Sequence, residues 1–296
     1  MLAIIAAALI VVLAVVVIFE QETSRWESVD VNGTDGLLDL YQSEDYILAV
    51  LGRSDPDAPR INVIEIPADW ADVTDVDKKK DGFIRTVLPL VLLSNRNIMD
   101  DRKRLVALND TLSGGGSLDD DDQAWLKELA SQYGVDTDGK DGAALVQALL
   151  PRVDTVPPSL AVAQAAVESG WGQSRFALDG NALFGQWTWS DDGIQAEDST
   201  SRVASFDQLI DSVEAYMLNL NSQHAYQALR EKRADQRAKG EVLDGLTLAA
   251  TLVHYSEEGT AYAEKIEGMI RDDELAPLDT VVLDDDEIGL LVQTRD

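Results

Sequence analysis

Residues 159–189 read SLAVAQAAVESGWGQSRFALDGNALFGQWTW, and this stretch places one carboxylate, Glu168, near the end of an alanine-rich segment. Helix-forming residues run from Leu160 to Val167, after two prolines that are tolerated at the start of a helix. Gly170 can adopt the left-handed conformation that often ends a helix. The sequence therefore predicts a helix whose last turn carries Glu168.

The environment predicted for Glu168 disfavours its ionised form. The carboxyl-terminal end of a helix is partially negative, and the neighbouring Ala165, Val167 and Trp171 offer little solvation, so both effects should raise the pKa of Glu168. A carboxyl group that stays protonated near neutral pH can act as a general acid, as sugar hydrolysis requires. The alternative is that Glu168 is a surface residue whose helix happens to end there.

Aromatic and amide side chains crowd around this carboxylate in the sequence. Flat apolar rings can stack on sugars, and neutral amides can bond hydroxyl and acetamide groups. The glycines on both sides of Trp171 would let the backbone come close to a ligand. For any single aromatic residue, a place in the core is the alternative. The predicted carbohydrate-binding residues are Trp171, Asn181, Phe184, Gln186, Trp187 and Trp189.

The stretch AQAAVESGWGQSRFALDGNALFGQWTW resembles the signature of the bacterial glucosaminidases of glycoside hydrolase family 73, most of all their Bax-like branch. Residues 211–234 and 251–270 are similar to that branch's later helices, and residues 78–105 to its amino-terminal helical region. The resemblance implies a mainly α, lysozyme-like fold with a small β lobe. It also implies cleavage of the β-1,4 bond on the reducing side of N-acetylglucosamine in peptidoglycan.

The resemblance also implies roles for single residues. Glu168 aligns with the family's general acid. The active-site tyrosine aligns with Tyr255 or Tyr262; we prefer Tyr255, because Tyr262 falls in a helical pattern with Ile266 and fits the core equally well. Tyr262 is kept as a substrate-binding candidate.

A second carboxylate is expected from the short β lobe after the NALFG motif. Its acids are Asp191, Asp192, Glu197 and Asp198. Glu197 is the first choice as a catalytic residue, because IQAED can form a strand near the cleft. The alternatives are that Glu197 belongs to a solvated acidic surface, or that the substrate's own acetamide assists the reaction.

Residues 1–19, MLAIIAAALIVVLAVVVIF, contain no charged side chain. As a helix they would span about 28 Å, close to the ~30 Å of a bilayer core. No small-residue cleavage site follows, so we predict an uncleaved anchor in the cytoplasmic membrane. The first basic residue is Arg25, so charge does not set the orientation. A peptidoglycan substrate places the large carboxy-terminal part in the periplasm or cell wall.

The chain is strongly acidic, with 54 Asp and Glu against 24 Lys and Arg and a net charge of −30. This charge argues against nucleic acid as a partner. It also predicts repulsion from carboxylate-bearing peptidoglycan, which salt at ~1 M would screen over about 3 Å. We therefore expect a halophilic or salt-tolerant source. Without cysteine, with two histidines and with no complete calcium loop, the sequence predicts neither a metal site nor a cofactor.

The predicted order along the chain is a membrane anchor (1–19), a partly helical stem (20–112), a hinge with a helical linker (113–150), the glucosaminidase domain (151–275) and an acidic tail (276–296). Pro89 is expected to kink or interrupt the helix predicted at 78–110. The glycines and acids of SGGGSLDDDD, at 113–122, mark the hinge and should open a helix at Gln123. The tail fits either disorder or an added strand.

Two other functions remain open from the sequence. A lysozyme-type muramidase or lytic transglycosylase shares the fold and a single glutamate on a helix, but cuts after the muramic residue. A non-catalytic glycan-binding protein would keep the cleft without the reaction.

Overall fold

The computed structural model describes residues 26–48, 57–188, 193–195, 202–284 and 288–295. The predicted anchor at 1–19 lies outside these residues. Among the helices that are described, none is both long and apolar enough to cross a membrane.

Helices form most of the described chain, and small sheets complete it. The helices are α1 (Gly33–Ser43), α2 (Val76–Ser113), α3 (Asp120–Gln132), α4 (Gly142–Leu149), α5 (Pro158–Ser169), α6 (Arg175–Gly180), α7 (Leu209–Ser222), α8 (Gln227–Ala238), α9 (Gly245–Ala249) and α10 (Thr260–Asp272). Short 3-10 helices occupy Ala68–Asp72, His224–Tyr226 and Ala276–Thr280. This mainly α architecture fits the predicted lysozyme-like class.

The strands form three small sheets. They are β1 (Trp26–Asn32), β2 (Asp57–Ala58), β3 (Ile61–Val63), β4 (Trp187–Thr188), β5 (Ile194–Gln195), β6 (Arg202–Val203), β7 (Val282–Leu283) and β8 (Gly289–Arg295). The antiparallel sheet β4-β6-β5 is the small β lobe predicted after the NALFG motif. The other two sheets, β1-β8-β3 and β2-β7, are parallel.

The acidic tail supplies the central strand of a sheet, which decides between the two predictions made for it. β8 lies between β1 and β3, and Val292 pairs with Val29 on one side and Val63 on the other. Val63 and Val292 are fully buried. The tail therefore closes the sheet that the amino-terminal segment begins.

The predicted stem and the predicted glucosaminidase domain share one hydrophobic core. Leu37, Tyr41 and Val87 of the stem lie in the same buried cluster as Leu160 and Tyr216. The linker at 113–150 instead packs on the second half of α2 in a separate, smaller cluster. Both cores have members on each side of residue 151, so the boundary expected there does not separate one core from the other.

Helix α2 continues through Pro89, so the predicted interruption is wrong. A proline inside a helix removes one hydrogen bond and costs about 3 kcal/mol or more. Leu88 and Leu90 on either side are fully buried, and each buried leucine stabilises the fold by roughly 1.5–3 kcal/mol. Packing of the apolar face therefore outweighs the local preference of the proline.

A turn joins two helices where the sequence predicted the hinge. Helix α2 ends before Gly114, and Gly115 has a φ of 81°, which favours glycine. Asp119 caps α3 by accepting a hydrogen bond from the Asp122 amide, with three aspartates in the first turn. Helix α3 begins at Asp120 rather than Gln123, because these acids favour the positive amino-terminal end of a helix.

Helix α5 is the central helix and was predicted from the sequence. It runs from Pro158 to Ser169 and ends at Gly170, whose φ of 59° is left-handed as expected. Packing against α2, α9 and α10 buries nearly every side chain of α5. At its start, Ser159 donates hydrogen bonds from its amide and hydroxyl to the Asp279 carboxylate. The helix that carries Glu168 is therefore held firmly at both ends.

Candidate active site

Glu168 lies half-buried in the last turn of α5 and is held by one tyrosine. The Tyr262 hydroxyl, from α10, donates a hydrogen bond of 2.6 Å to Glu168 Oε1. Tyr262 itself is buried, with 3 % of its surface exposed. The contact fixes the orientation of the Glu168 carboxyl group.

A buried glutamine determines how Tyr262 is oriented. Gln164 precedes Glu168 by one helical turn and donates from Nε2 to the Tyr262 hydroxyl oxygen at 3.0 Å. The Tyr216 hydroxyl donates to Gln164 Oε1 at 2.7 Å. Because the Tyr262 oxygen accepts from Gln164, the Tyr262 proton points at Glu168. The order of donors thus runs from Tyr216 through Gln164 and Tyr262 to the carboxylate.

Aromatic rings pack around this hydrogen-bonded series. Tyr255 stacks on Tyr262 with ring centroids 5.1 Å apart, and Phe184 stacks on Tyr216 at 3.9 Å. Tyr226 lies 5.9 Å from Tyr255. Phe184, Tyr226 and Tyr255 lie with the half-buried Glu168 in the wall of one cavity.

The open side of Glu168 faces a cavity of about 1350 Å³. Gly185, with a φ of 58°, lies beside it, and a Cβ on this residue would be 3.7 Å from Glu168 Oε2. The absence of a side chain here keeps that oxygen accessible. Among the described residues, the other carboxylates in the wall are Glu257 and Glu258.

Burial raises the pKa of Glu168, as the sequence predicted. The hydrogen bond from Tyr262 and the positive charge of Lys265 lower the pKa of Glu168, and the negative charge of Glu258 raises it. Burial is the largest of these effects. The Glu168 carboxyl group therefore keeps its proton to a higher pH than an exposed glutamate does.

Several of the predicted binding residues line the cavity. Phe184, Gln186, Trp187 and Tyr255 all contribute to its wall. Trp187 is 67 % exposed, which is unusual for tryptophan and leaves its ring free to stack. Trp189 and Glu197 lie outside the described residues, so their roles stay predictions.

Two of the predicted binding residues lie elsewhere and have structural contacts. Trp171 packs edge-on against Phe83 at 5.7 Å and lies under the ammonium group of Lys80. Asn181 is buried, and its Nδ2 donates to the carbonyl oxygens of Phe206 and Asp207. Both residues have a positive φ, so they shape the loops around α6. Neither belongs to the cavity wall, which argues against direct sugar contacts.

The contacts of the two tyrosine candidates do not match our preference for Tyr255 as the active-site tyrosine. Tyr262 contacts Glu168 directly but is buried and does not belong to the cavity wall, which argues against the predicted contact with substrate. Tyr255 stacks on Tyr262 and lines the cavity. Sequence reasoning also missed Gln164, Tyr216 and Gly185. For Gln164 a signal was available, since residues four apart on a helix share a face.

Comparisons with known proteins identify the family of this chain. Residues 143–275 match the family model Glucosaminidase, described as mannosyl-glycoprotein endo-beta-N-acetylglucosaminidase. The chain is 31 % identical over 196 residues to protein bax of Escherichia coli (strain K12), covering 66 % of this chain and 70 % of that protein.

The catalytic domain of the autolysin Auto from Listeria monocytogenes is 19 % identical, covers 57 % of this chain and 93 % of its own, and has a TM-score of 0.31. A likeness at that level informs neither the fold nor the site. The match to the family model and the Escherichia coli relative are sufficient: this chain belongs to the glucosaminidase family, glycoside hydrolase family 73, and is a Bax-like member of it.

Proposed function

We propose that this protein hydrolyses peptidoglycan, cutting the β-1,4 bond on the reducing side of N-acetylglucosamine with Glu168 as the general acid. The observation that carries the proposal is the contact between Tyr262 and Glu168 at the wall of an open cavity. Membership of the glucosaminidase family supports the substrate class.

The hydrogen bonds determine which oxygen of Glu168 would carry the proton. Because Tyr262 donates to Oε1, the acidic proton belongs on Oε2, the oxygen beside Gly185. From Oε2 it would pass to the glycosidic oxygen as the bond to the anomeric carbon breaks. The negative charge then left on Glu168 is stabilised by the Tyr262 hydroxyl. The same tyrosine therefore positions the acid and stabilises its conjugate base.

The group opposite Glu168 is proposed to come from the β lobe, with Glu197 still the first choice. Glu257 and Glu258 are alternatives because both are exposed at the cavity wall. Replacing each by glutamine separates the three. Only the variant that lacks the second catalytic group should lose hydrolysis by about a hundredfold or more.

The central test is Glu168→Gln, which keeps the shape of the side chain and removes the acid. We expect hydrolysis of purified peptidoglycan to fall by about 10²–10⁴-fold while the thermal unfolding temperature changes little. A matched control is Glu267→Gln, at an exposed ion pair with Arg271 on α10. Unchanged hydrolysis by Glu168→Gln would disprove the proposed role and would favour a non-catalytic glycan-binding protein.

The bond that is cut separates the proposed activity from that of a muramidase or lytic transglycosylase. Mass spectrometry of the digested wall shows which sugar carries the new reducing end. We expect N-acetylglucosamine there. A muramic reducing end, or an anhydro-muramic product, would overturn the assignment.

We also propose that residues 1–19 anchor the enzyme in the cytoplasmic membrane, with the catalytic part in the periplasm or cell wall. The support is the uncharged, apolar sequence. Full-length protein should stay with membranes after a high-salt wash, whereas a chain that starts at residue 20 should be released. The net charge of −30 supports a salt-tolerant enzyme, and best activity at low salt would contradict this.

A further inference from the structure

One arginine, Arg152, gives part of the cavity wall a charge opposite to that of the protein as a whole. Arg152 lines the cavity together with Ser131, Gln132 and Gly134 from the end of α3. It follows α4 directly and is half-buried. The helical linker and the start of the glucosaminidase domain thus build this part of the wall together.

Backbone oxygens hold the guanidinium group of Arg152 in place. Its Nη1 donates to the carbonyl oxygen of Tyr133 at 3.0 Å and also to that of Ser222. Within the described part of the chain, its Nε and Nη2 groups donate to no acceptor, and no carboxylate forms an ion pair with it. The geometry leaves one side of a rigid donor fork unused.

A second guanidinium lies close behind the first. Arg230 is 5 % exposed, and its Nη1 donates to the carbonyl oxygens of Leu220 and Gln223 at 2.8 Å. Burial, and after it the positive charge of Arg152, lowers the pKa of Arg230 to about 10. Arg230 likewise has no ion pair with any carboxylate that the structure describes. Two like charges are thus held together although the chain is rich in acids.

Other arginines nearby are paired with a carboxylate. Arg102, Arg233 and Arg237 all lie within salt-bridge distance of Asp154, only two residues from Arg152. Arg152 is excluded from this cluster and directed to the cavity. An unpaired arginine with free N–H groups is suited to bind a carboxylate through two parallel hydrogen bonds.

We infer that Arg152, backed by the charge of Arg230, forms a subsite for a carboxylate carried by the substituent on the muramic sugar of the substrate. This rests on the proposed function, and it defines the preferred substrate as acidic strands rather than neutral chitin-type glycans. Two kinds of carboxylate fit this subsite. They are the carboxylates of the peptide stem, and the lactyl carboxylate that is freed when the stem is removed. The subsite also offsets the repulsion between a protein of net charge −30 and an acidic polymer.

Binding tests the subsite without requiring turnover. In a Glu168→Gln background, calorimetry would compare three tetrasaccharides: one with peptide stems, one stripped of its stems by an amidase, and neutral chitotetraose. We expect Arg152→Gln to weaken binding of an acidic ligand by about ten- to hundredfold and to leave chitotetraose unchanged. Loss with the stem-bearing ligand alone assigns the subsite to peptide carboxylates. Loss with the stripped ligand assigns it to the lactyl group.

The controls separate a charge effect from a structural one. Arg271→Gln makes the same change in net charge at an exposed residue of α10 outside the cavity wall and should alter no affinity. Arg152→Lys should restore part of the affinity for acidic ligands. Equal weakening for all three ligands would mean that Arg152 is structural and would overturn the inference, as would no weakening at all.

A salt titration keeps the inference testable if Arg152→Gln does not fold. With Arg152 intact, the preference for an acidic ligand over chitotetraose should shrink as salt rises towards ~1 M, because screening weakens the ion pair. A preference that is absent at low salt would overturn the subsite. Hydrolysis by the wild-type protein, measured separately, would still decide the proposed function.

Discussion

Two carboxylates at opposite ends of the 154–168 segment show how this chain treats buried acids. Asp154 lies before α5, 3 % exposed, and is surrounded by Arg102, Arg233 and Arg237 at 2.8–3.9 Å. Glu168 lies at the end of α5 and has one tyrosine hydroxyl as its hydrogen-bond partner. Asp154 is balanced by three cations, whereas no cation in the described part of the chain forms an ion pair with Glu168.

The difference separates a structural carboxylate from a chemical one. A carboxylate among arginines forms ion pairs that hold segments of the chain together. A carboxyl group that is desolvated and contacted only by neutral hydroxyls can carry a proton and release it. Burial alone therefore does not mark a site; the type of partner does. Substitutions near Asp154 and near Glu168 test this difference.

The largest effect is expected on stability, at Asp154. Asp154→Asn leaves the buried guanidinium of Arg233, 1 % exposed, without a counter-charge, which should lower the free energy of unfolding by about 3–5 kcal/mol. Denaturant titration measures this loss. Asp235→Asn, at an exposed pair with Lys239, is the matched control and should leave the free energy of unfolding nearly unchanged, because solvent screens this pair. Equal losses of unfolding free energy in the two variants would show that Asp154 matters no more to stability than an exposed carboxylate.

The next effect is expected on the pH dependence of activity, at Tyr262. The hydrogen bond from Tyr262 lowers the pKa of Glu168, so Tyr262→Phe should raise that pKa and move the alkaline limb of kcat to higher pH. The rate at the optimum should fall by about ten- to hundredfold, because the charge left on Glu168 loses a hydrogen bond. Both quantities come from one pH–rate profile.

Tyr255→Phe serves as the control for Tyr262→Phe. Its hydroxyl is 3.5 Å from the Phe184 carbonyl oxygen and makes no contact with Glu168, while its ring keeps the stack. We expect the alkaline limb to stay in place. A shift with Tyr255→Phe and none with Tyr262→Phe would reverse the order of the two tyrosines and restore the preference drawn from the sequence.

The smallest effects are expected from two exposed charges near Glu168. The positive charge of Lys265 lowers the pKa of Glu168 and the negative charge of Glu258 raises it. Lys265→Gln should therefore move the alkaline limb of kcat up in pH, and Glu258→Gln should move it down. Both shifts should vanish near ~1 M salt, where exposed charges are screened. Shifts in the same direction would contradict the electrostatic explanation.

The sequence was sufficient where the deciding information is local. Helix α5, its end at Gly170 and the raised pKa of Glu168 follow from residues within a dozen positions of one another. The β lobe was expected from the family resemblance, which a similarly short motif carries. The sequence was insufficient where distant segments meet: Gln164 and Tyr262 lie 98 positions apart, and only the packing of α5 against α10 joins them.

Pro89 and Trp171 are two positions where a prediction from local sequence was wrong. Local rules predicted a kink or a break at the proline and a sugar contact at the tryptophan. Packing kept α2 continuous and placed Trp171 against Phe83 and Lys80, on a surface of α2 that the sequence did not connect to it. Tertiary packing overrides local preferences where a large buried face contributes more to the free energy of folding.

The position of β8 between β1 and β3 has a consequence for biosynthesis. Hydrogen bonds of the sheet join β1 and β3 to β8 and not to each other. While a ribosome is still making the catalytic helices, β1 has no neighbour to pair with. In the nascent chain, β1 must therefore stay unpaired with β8 until residues 289–295 are synthesised. Pairing between segments so far apart in the sequence is slow. A tag or truncation that disturbs these residues would leave two unprotected strand edges, which favour aggregation.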